Sequence, residues 1–290
     1  MKNSVPHHFR AKDGEVLYHY TSSEGALAIL RNQIFWLSEY SKTNDSSEYL
    51  YARDKFIKFS KERNVWIDDL PRFVATTALV GSEANTVMTV GCLTKRKDDL
   101  GQWDRYADKA RGCVVGIDAN YLQNEAGVAL RKINYRAADL RQFVNIGLSM
   151  LQRQYEEDPN DIDGLKELAR FFVADLFAFK DKAFALEREI RVSRLLVADV
   201  SGTHGLKDEG GHRADGTSVA PLPIKLRVGP FGPTRYVELP LTTRSGKSAI
   251  RSIGFGPTCP DNVQSEFRDL NLALPDPAEL WKSTLPYRIK

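Results

Sequence analysis

The chain has 290 residues, of which 42% are hydrophobic and 10% aromatic, a composition typical of a globular protein with one substantial core. The 41 basic and 38 acidic residues leave a net charge of +3, too small for the strong positive field on which most nucleic-acid-binding proteins depend. The three cysteines, Cys92, Cys113 and Cys259, are widely spaced, which argues against a disulfide framework or a zinc site. No stretch approaches the roughly 18 apolar residues that span a bilayer, and the N-terminus lacks the apolar core of a signal peptide. We therefore expect a cytoplasmic protein without a membrane partner.

The predicted secondary structure opens with a strand over residues 16–20, followed directly by a helix start. Thr21 and Glu24 have the spacing of a capping box, so Thr21 is the predicted N-cap of the first helix. A short strand over 34–37 follows, and residues 44–48 predict the start of a second helix. The chain is thus expected to begin strand, helix, strand, helix.

The middle of the chain is predicted to be rich in strands and then in helices. β-branched and apolar runs indicate the strands, and regularly spaced Leu and Phe residues indicate the helices. We interpret the first two of these helices as an insertion over about 137–180 that packs against the sheet. The predicted strands cover residues 73–80, 86–93, 113–118, 131–135, 187–197, 222–228 and 234–239, and the predicted helices cover 137–156, 161–180 and 261–271.

The order of these elements predicts an α+β fold, because the strands occur in groups and do not alternate strictly with helices. We expect a single domain over residues 1–290, with a core formed by about 16–135 and 185–257. Residues 200–218 contain five glycines and no apolar cluster, and they are predicted to form a mobile loop.

His19 lies between two tyrosines in the sequence LYHYTSSE, at the end of the first predicted strand. Alternate residues of a strand face opposite sides, so His19 shares its face with Leu17. If Leu17 faces the core, His19 lies at the core rim, where a cleft would be found. The simpler alternative is a partly buried histidine hydrogen-bonded to a backbone carbonyl.

The run LEREIRV carries two carboxylates and an arginine, Glu187, Glu189 and Arg191, at the period of a strand. On a strand the three side chains would form one polar stripe, with the carboxylates about 7 Å apart. The stripe is either a solvated face of an antiparallel sheet or part of a site. In a site, one carboxylate would bind or activate a hydroxyl while its neighbours fix its orientation and charge state.

Trp103 and Tyr106 are three residues apart in WDRYA, and on a helical turn both rings would point the same way. That arrangement suits either core packing or the stacking of a planar ring in a pocket. The chain has no GxGxxG before a helix, no P-loop, no GxSxG, no HExxH and no CxxC. The glycines around His204 and His212 argue against a helical metal site there, so no metal is expected.

Taken together, these motifs resemble those of a bacterial family catalogued as domain of unknown function 2971. The resemblance runs from about Leu17 to about Pro257, and its most specific parts are the W-x-x-Y-A segment before an apolar strand and the E-x-E-x-R strand. This family is in turn similar to the ADP-ribosyltransferase superfamily of the His-Tyr-Glu type. The resemblance implies an ADP-ribosyltransferase-like split mixed sheet with flanking helices and a helical insertion. The segments that carry it are YHYTS, TNDSSE, DDLGQWDRYADKARGCVVGID, KDKAFALEREIRV and IRSIGFGP.

The resemblance also implies a role for each motif residue. Glu189 would be the catalytic glutamate, with Glu187 as its partner, and His19 would bind the nicotinamide-side ribose of NAD. Tyr106, with Trp103 beside it, would stack on the nicotinamide, and Arg191 would hold a phosphate. The implied NAD-binding residues are His19, Tyr20, Thr21, Trp103, Tyr106 and Arg191.

The implied activity is cleavage of NAD and transfer of ADP-ribose to a protein or nucleic-acid acceptor or to water, in the manner of a toxin or anti-phage effector. NAD would be a substrate, and the chemistry needs no metal. Two alternatives stay open. One is a catalytically inactive module that senses a nucleotide in the same cleft. The other is a nuclease or other hydrolase that uses His19 with Glu187 and Glu189.

Overall fold

The strands and helices follow the predicted order over most of the chain. The computed structural model describes residues 8–42, 46–62, 86–229 and 232–287. Its strands are β1 (Val16–Thr21), β2 (Ile34–Glu39), β3 (Thr86–Thr94), β4 (Cys113–Asp118), β5 (Ala129–Lys132), β6 (Glu189–Thr203), β7 (Leu206–Asp208), β8 (Gly211–His212), β9 (Ser218–Val219), β10 (Ile224–Gly229), β11 (Gly232–Pro240), β12 (Ile250–Phe255) and β13 (Glu279–Lys282). Its helices are α1 (Ser23–Asn32), α2 (Ser46–Glu62), α3 (Leu100–Tyr106), α4 (Ala119–Asn124), α5 (Ala137–Glu157), α6 (Ile162–Leu176) and α7 (Asp261–Leu272), with 3-10 turns at Tyr40–Lys42 and Lys182–Glu187.

One large mixed sheet organises the fold. Eight strands follow the order β10-β11-β2-β3-β1-β4-β12-β13, and β6 adds to it by pairing with β3, β5 and β7. The pairing between β12 and β13 is parallel, and β6 runs antiparallel to β3. This arrangement of a large mixed sheet with flanking helices confirms the predicted α+β class. None of the described helices is long and apolar enough to cross a membrane.

The sheet splits at β3. One edge of β3 pairs with β6 over its whole length, from Thr86 to Thr94. The other edge is shared by two strands, since β2 pairs with it at Thr89 and Val90 and β1 pairs with it at Thr94. β1 and β2 therefore diverge beside residues 91–93, with α1 connecting them. The opening between them lies next to His19 near the end of β1.

A glycine permits close packing at this split. A Cβ atom added to Gly91 would lie 2.4 Å from Cε1 of Phe35 and 2.9 Å from Cδ2 of Leu37. Both side chains come from β2 and are almost completely buried. The ring of Phe35 also meets the ring of His19 edge to face, with the centroids 4.9 Å apart. Gly91 thus lets β2 approach β3 closely where β1 and β2 separate.

Apolar clusters cover the sheet and fix the helices on it. The largest joins the strands to α1, α4 and α7 through residues such as Leu30, Leu122 and Phe267. A second joins α2, α5 and α6 to the strand residues Met88 and Val90. Two helices within the predicted segment 137–180 therefore pack together with α2 over β3.

Two predictions on local structure are corrected. The N-cap of α1 is Ser22, whose side chain accepts a hydrogen bond from the Gly25 backbone N–H. Thr21 is not the cap, because β1 continues through it and pairs it with Cys113. Residues 200–218 are not one loop, since β6 continues to Thr203 and β7, β8 and β9 follow. The glycines in that segment serve tight turns, as the positive φ values of Gly205 and Gly216 indicate.

Other element boundaries differ by a few residues. The predicted strand 131–135 is β5 at Ala129–Lys132, and the predicted helix 161–180 ends at Leu176. The strands β12 and β13 and the helix α4 were not predicted. The predicted strand 73–80 and the first residues of the predicted 44–48 helix start lie outside the described residues.

We expect the substitution Gly91→Ala to lower the free energy of unfolding by about 1–3 kcal/mol, because the added methyl group overpacks the contact with Phe35. Urea unfolding of Gly91→Ala, Phe35→Leu and the double variant checks this. The leucine at position 35 should relieve the clash with the alanine methyl group at position 91. The double variant should therefore be more stable than the sum of the two single effects predicts. Strictly additive effects would contradict the proposed contact.

Candidate active site

A cavity of about 1090 Å³ opens at the split of the sheet, a volume at the upper end of the roughly 300–1,000 Å³ typical of small-molecule sites. Its walls come from β1, α1, β2, the middle of β3, the end of α3 and the segment that leads into β6. Most of the predicted site residues lie on its walls. These are His19, Tyr20, Thr21, Tyr106, Glu187, Glu189 and Arg191.

Four buried charged side chains form the inner wall of the cavity, namely Lys180, Glu187, Glu189 and Arg191. The Lys180 ammonium donates to Oε2 of Glu187 and, over 3.2 Å, to Oε2 of Glu189. Arg191 donates from Nε and Nη2 to the two carboxylate oxygens of Glu189. We call these four residues the charge network. Its two cations balance its two carboxylates, which is the condition under which charges are tolerated in a protein interior.

Arg191 is the counter-ion of Glu189. Its Nη1 donates to the hydroxyl of Tyr40 over 2.9 Å and to the carbonyl of Phe177 over 2.7 Å. The guanidinium also lies over the ring of Tyr40, with Cζ 4.6 Å from the centroid. Most of the five donors of this arginine are therefore engaged within the protein. This placement differs from the phosphate-binding role that the sequence resemblance implies for Arg191.

A backbone reversal brings the two glutamates together. Glu187 was predicted to lie on the strand, but it ends the 3-10 turn Lys182–Glu187. Arg188 then adopts a left-handed conformation with φ 47°, which is uncommon for a residue other than glycine, and β6 starts at Glu189. The two carboxylates still share the inner wall, because Lys180 binds both. The polar stripe is thus a buried cluster and not a solvated face.

The environment of Glu189 holds it in the ionised form. Burial by itself would raise the pKa of this carboxyl, but the charges of Arg191 and Lys180 lower it to about 2. The backbone N–H of Glu189 donates to the hydroxyl of Tyr135 over 2.9 Å, which fixes the start of β6. Glu189 is accordingly a carboxylate anion at physiological pH.

Tyr106 is bound to the same network, whereas Trp103 is not on the cavity wall. The hydroxyl of Tyr106 donates to Oε1 of Glu187 over 2.6 Å. Burial and this hydrogen bond raise the pKa of Tyr106, so the phenol stays protonated. Trp103 is completely buried, packs edge to face on Tyr20 and donates from Nε1 to Asp98. Trp103 thus packs in the core against Tyr20 and not on the cavity wall, in agreement with the core-packing alternative.

His19 both lines the cavity and binds a backbone carbonyl, the two alternatives that the sequence left open. It lies on the cavity wall, on the same face of β1 as the buried Leu17. Its Nδ1 is 2.9 Å from the carbonyl oxygen of Cys92, and because a carbonyl only accepts, Nδ1 carries the proton. Burial lowers the pKa of His19, and the hydrogen bond to Cys92 opposes this by a smaller amount. In the neutral ring Nε2 is then a hydrogen-bond acceptor.

Cys92 connects His19 to the charge network. It pairs with Arg191 across β3 and β6, and its thiol faces the open space of the cavity. Burial, and then the negative charge of Glu189, raise the pKa of this thiol well above its ordinary value. The thiol therefore stays protonated and serves as a weak donor to Glu189.

Several residues of the site were not predicted. Lys180, Tyr40 and Tyr135 contact the glutamates or Arg191. Tyr40 and Tyr135 come from distant parts of the chain, whereas Lys180 is the first residue of the motif segment KDKAFALEREIRV, whose pattern predicted no role for this lysine. In the part of the chain that the structure describes, no group of three or more His, Cys, Asp or Glu side chains could hold a metal ion.

The comparisons with known proteins support part of the resemblance inferred from the sequence. Residues 102–192 match the model of a family described as protein of unknown function (DUF2971). The matched segment starts in α3 and ends in β6, so it contains Tyr106 and the whole charge network. No curated protein and no solved structure matches this chain. Similarity to the ADP-ribosyltransferases stays a prediction.

The pKa of Glu189 predicts how stability changes with pH. Folding lowers the pKa of this carboxyl from 4.5 to about 2, so its contribution to stability is complete above about pH 4.5 and is lost as the pH falls toward 2. We expect the free energy of unfolding of the wild type to fall more steeply with acidification than that of Glu189→Gln. About 2 kcal/mol of this difference should develop between pH 5.5 and 3. Urea unfolding at several pH values between 5.5 and 3 measures it, and parallel curves would contradict the assignment.

Proposed function

We propose that this protein is an ADP-ribosyltransferase-like enzyme that cleaves NAD and passes ADP-ribose to a macromolecular acceptor or to water. The observation that carries the proposal is that His19, Tyr106 and Glu189, which are far apart in the sequence, line one cavity. A histidine acceptor, an aromatic ring and an ionised carboxylate are the groups that cleavage of the nicotinamide–ribose bond uses. The split of the sheet at the same place supports an ADP-ribosyltransferase-like fold.

In the proposed reaction, the bond between the nicotinamide nitrogen and the ribose anomeric carbon breaks, and nicotinamide leaves with the bonding electrons. The ribose passes through an oxocarbenium-like state. An acceptor group or water then bonds to the anomeric carbon and loses its proton. A carboxylate beside this carbon stabilises the positive charge that develops there. Glu189 suits this task because it is ionised at neutral pH.

Glu189 also has the capacity to bind a ribose hydroxyl. An ionised carboxylate offers about four acceptor positions, and Arg191 and Lys180 occupy three of them. The fourth lies toward the Cys92 thiol, a weak donor on the cavity wall that a hydroxyl readily displaces. Arg191 and Lys180 meanwhile hold the carboxylate in a fixed orientation, which is the preorganisation that electrostatic catalysis requires.

His19 and Tyr106 would position the two sides of the scissile bond. The Nε2 atom of the neutral His19 ring accepts a hydrogen bond from a second ribose hydroxyl. The Tyr106 ring is fixed by its hydroxyl, which is bound to Glu187, and its face provides a surface on which nicotinamide stacks. Glu187 is in this scheme a positioning residue that acts through Tyr106 and Lys180.

One observation favours a second candidate, a nucleotide-sensing module that binds its ligand without cleaving it. Both buried carboxylates are paired with cations, so part of the negative charge that would stabilise the oxocarbenium-like state is already compensated. The same cavity and the same stacking surface would serve for binding alone. The two candidates differ in whether nicotinamide is released.

Release of nicotinamide from NAD tests the proposal. We expect the wild type to release nicotinamide, with or without cell extract as a source of acceptor, and Glu189→Gln to do so roughly 100-fold more slowly. Glu266→Gln, an exposed position on α7, serves as the matched control and should retain wild-type activity. NAD binding without any release would favour the sensing module. Equal release by the wild type and Glu189→Gln would disprove the role of Glu189.

A further inference from the structure

The outer part of the cavity carries cations that the charge network does not use. Lys42, Arg105 and Arg227 line the cavity, and within the described ranges none of the three forms an ion pair. Of the acidic residues on the same walls outside the charge network, Glu238 is paired with Lys225, and Glu24 offsets one of the three cations. The inner end of the cavity is thus electrically balanced, whereas the outer part carries uncompensated positive charge.

Arg227 is the best-positioned of these cations. It projects from β10 across β11 toward β2, where its Nη2 donates to the hydroxyl of Ser38 over 3.2 Å. Its guanidinium lies over the ring of Trp36, with Cζ 5.4 Å from the centroid. Its Nε is buried and has no hydrogen-bond partner in the part of the chain that the structure describes. Most of the donors of this arginine therefore remain without an acceptor, in contrast to those of Arg191.

Trp36 offers a flat surface beside Arg227. The residue is 44% exposed although it lines the cavity, and the ring of Tyr236 packs against it with the ring planes tilted by 40° and the centroids 4.6 Å apart. Exposed tryptophan faces of this kind bind the faces of planar bases, and an adjacent arginine adds a charge that suits a phosphate.

These residues lie in line with the charge network. Trp36 and Ser38 share one face of β2, and Tyr40, which follows β2 directly, accepts the hydrogen bond from Arg191. The rise of a strand puts Ser38 about 7 Å and Trp36 about 13 Å from Tyr40. Moving outward from Glu189, a ligand would thus meet a carboxylate, then a guanidinium with a hydroxyl, and then an aromatic face.

We propose that Ser38, Arg227 and Trp36 form a subsite for a nucleoside diphosphate, in which Arg227 and Ser38 bind the phosphates and Trp36 stacks on the base. The proposal rests on the proposed function in that it assigns this subsite to the ADP half of NAD. Arg227 would take the phosphate-binding role that the buried position of Arg191 prevents. A planar, permanently charged guanidinium suits a diphosphate because it binds two oxygens at once.

Calorimetric titration with ADP, inorganic pyrophosphate and adenosine tests the subsite. We expect the wild type to bind ADP, and Arg227→Gln to bind both ADP and pyrophosphate roughly tenfold more weakly or worse. Trp36→Ala should weaken the binding of ADP by a similar factor but leave that of pyrophosphate within about twofold. Arg268→Gln, an exposed position on α7, removes the same charge away from the cavity and should bind like the wild type.

Three outcomes would overturn the subsite: no ADP binding by the wild type at millimolar concentration, unchanged ADP binding by Arg227→Gln, or an equal loss in Arg268→Gln. Ser38→Ala provides a second variant should Arg227→Gln not fold, and it should weaken ADP binding by a smaller factor. Nicotinamide release by the wild type separates the two proposals. If ADP binding depends on Arg227 but no nicotinamide is released, the subsite is supported and NAD cleavage is contradicted. If nicotinamide is released but ADP binding does not depend on Arg227, NAD cleavage is supported and the subsite is contradicted.

Discussion

The structure of the cavity depends on one interaction, the binding of two buried carboxylates by Lys180. Glu187 and Glu189 lie close enough to share this ammonium, and without it the buried Glu187 carboxylate would lose its paired cation. Lys180 follows α6, Glu187 ends a 3-10 turn, and Arg191 extends the network from β6 to Tyr40 beside β2. The charge network thus connects the helical segment, the split sheet and the start of β6, and it gives the inner wall of the cavity a fixed shape.

The split of the sheet provides the space in front of this wall. β6 takes one edge of β3, and β1 and β2 share the other without meeting between Val90 and Thr94. His19 reaches the carbonyl of Cys92 across this opening, while the thiol of Cys92 faces the cavity beside Glu189. β3 thus contacts both residues, His19 through the carbonyl of Cys92 and Glu189 through the thiol of the same cysteine.

Local sequence patterns predicted the strands and helices around the site better than the contacts within it. The alternation along β1 placed His19 on the same face as Leu17, which is buried in the main cluster, although Tyr20 on the other face is buried as well. The same period-two rule failed at Glu187, because the left-handed Arg188 ends the turn before β6 starts. The contact of Lys180 with both glutamates, which are only 7 and 9 residues away, depends on the intervening 3-10 turn, and the contact of Arg227 with Ser38 joins two strands across 189 residues of the chain. No local periodicity reports such contacts.

The central claim is that NAD binds in the split of the sheet with its nicotinamide ribose at Glu189. A crystal structure of the Glu189→Gln variant with NAD tests this most directly, because we expect the amide, which has the size of the carboxylate, to slow turnover and to leave the cavity open to NAD. The account predicts the nicotinamide ring against Tyr106, a ribose hydroxyl within hydrogen-bonding distance of position 189, and the diphosphate at Arg227. NAD bound outside this cavity, or bound there with its ribose remote from position 189, would contradict it.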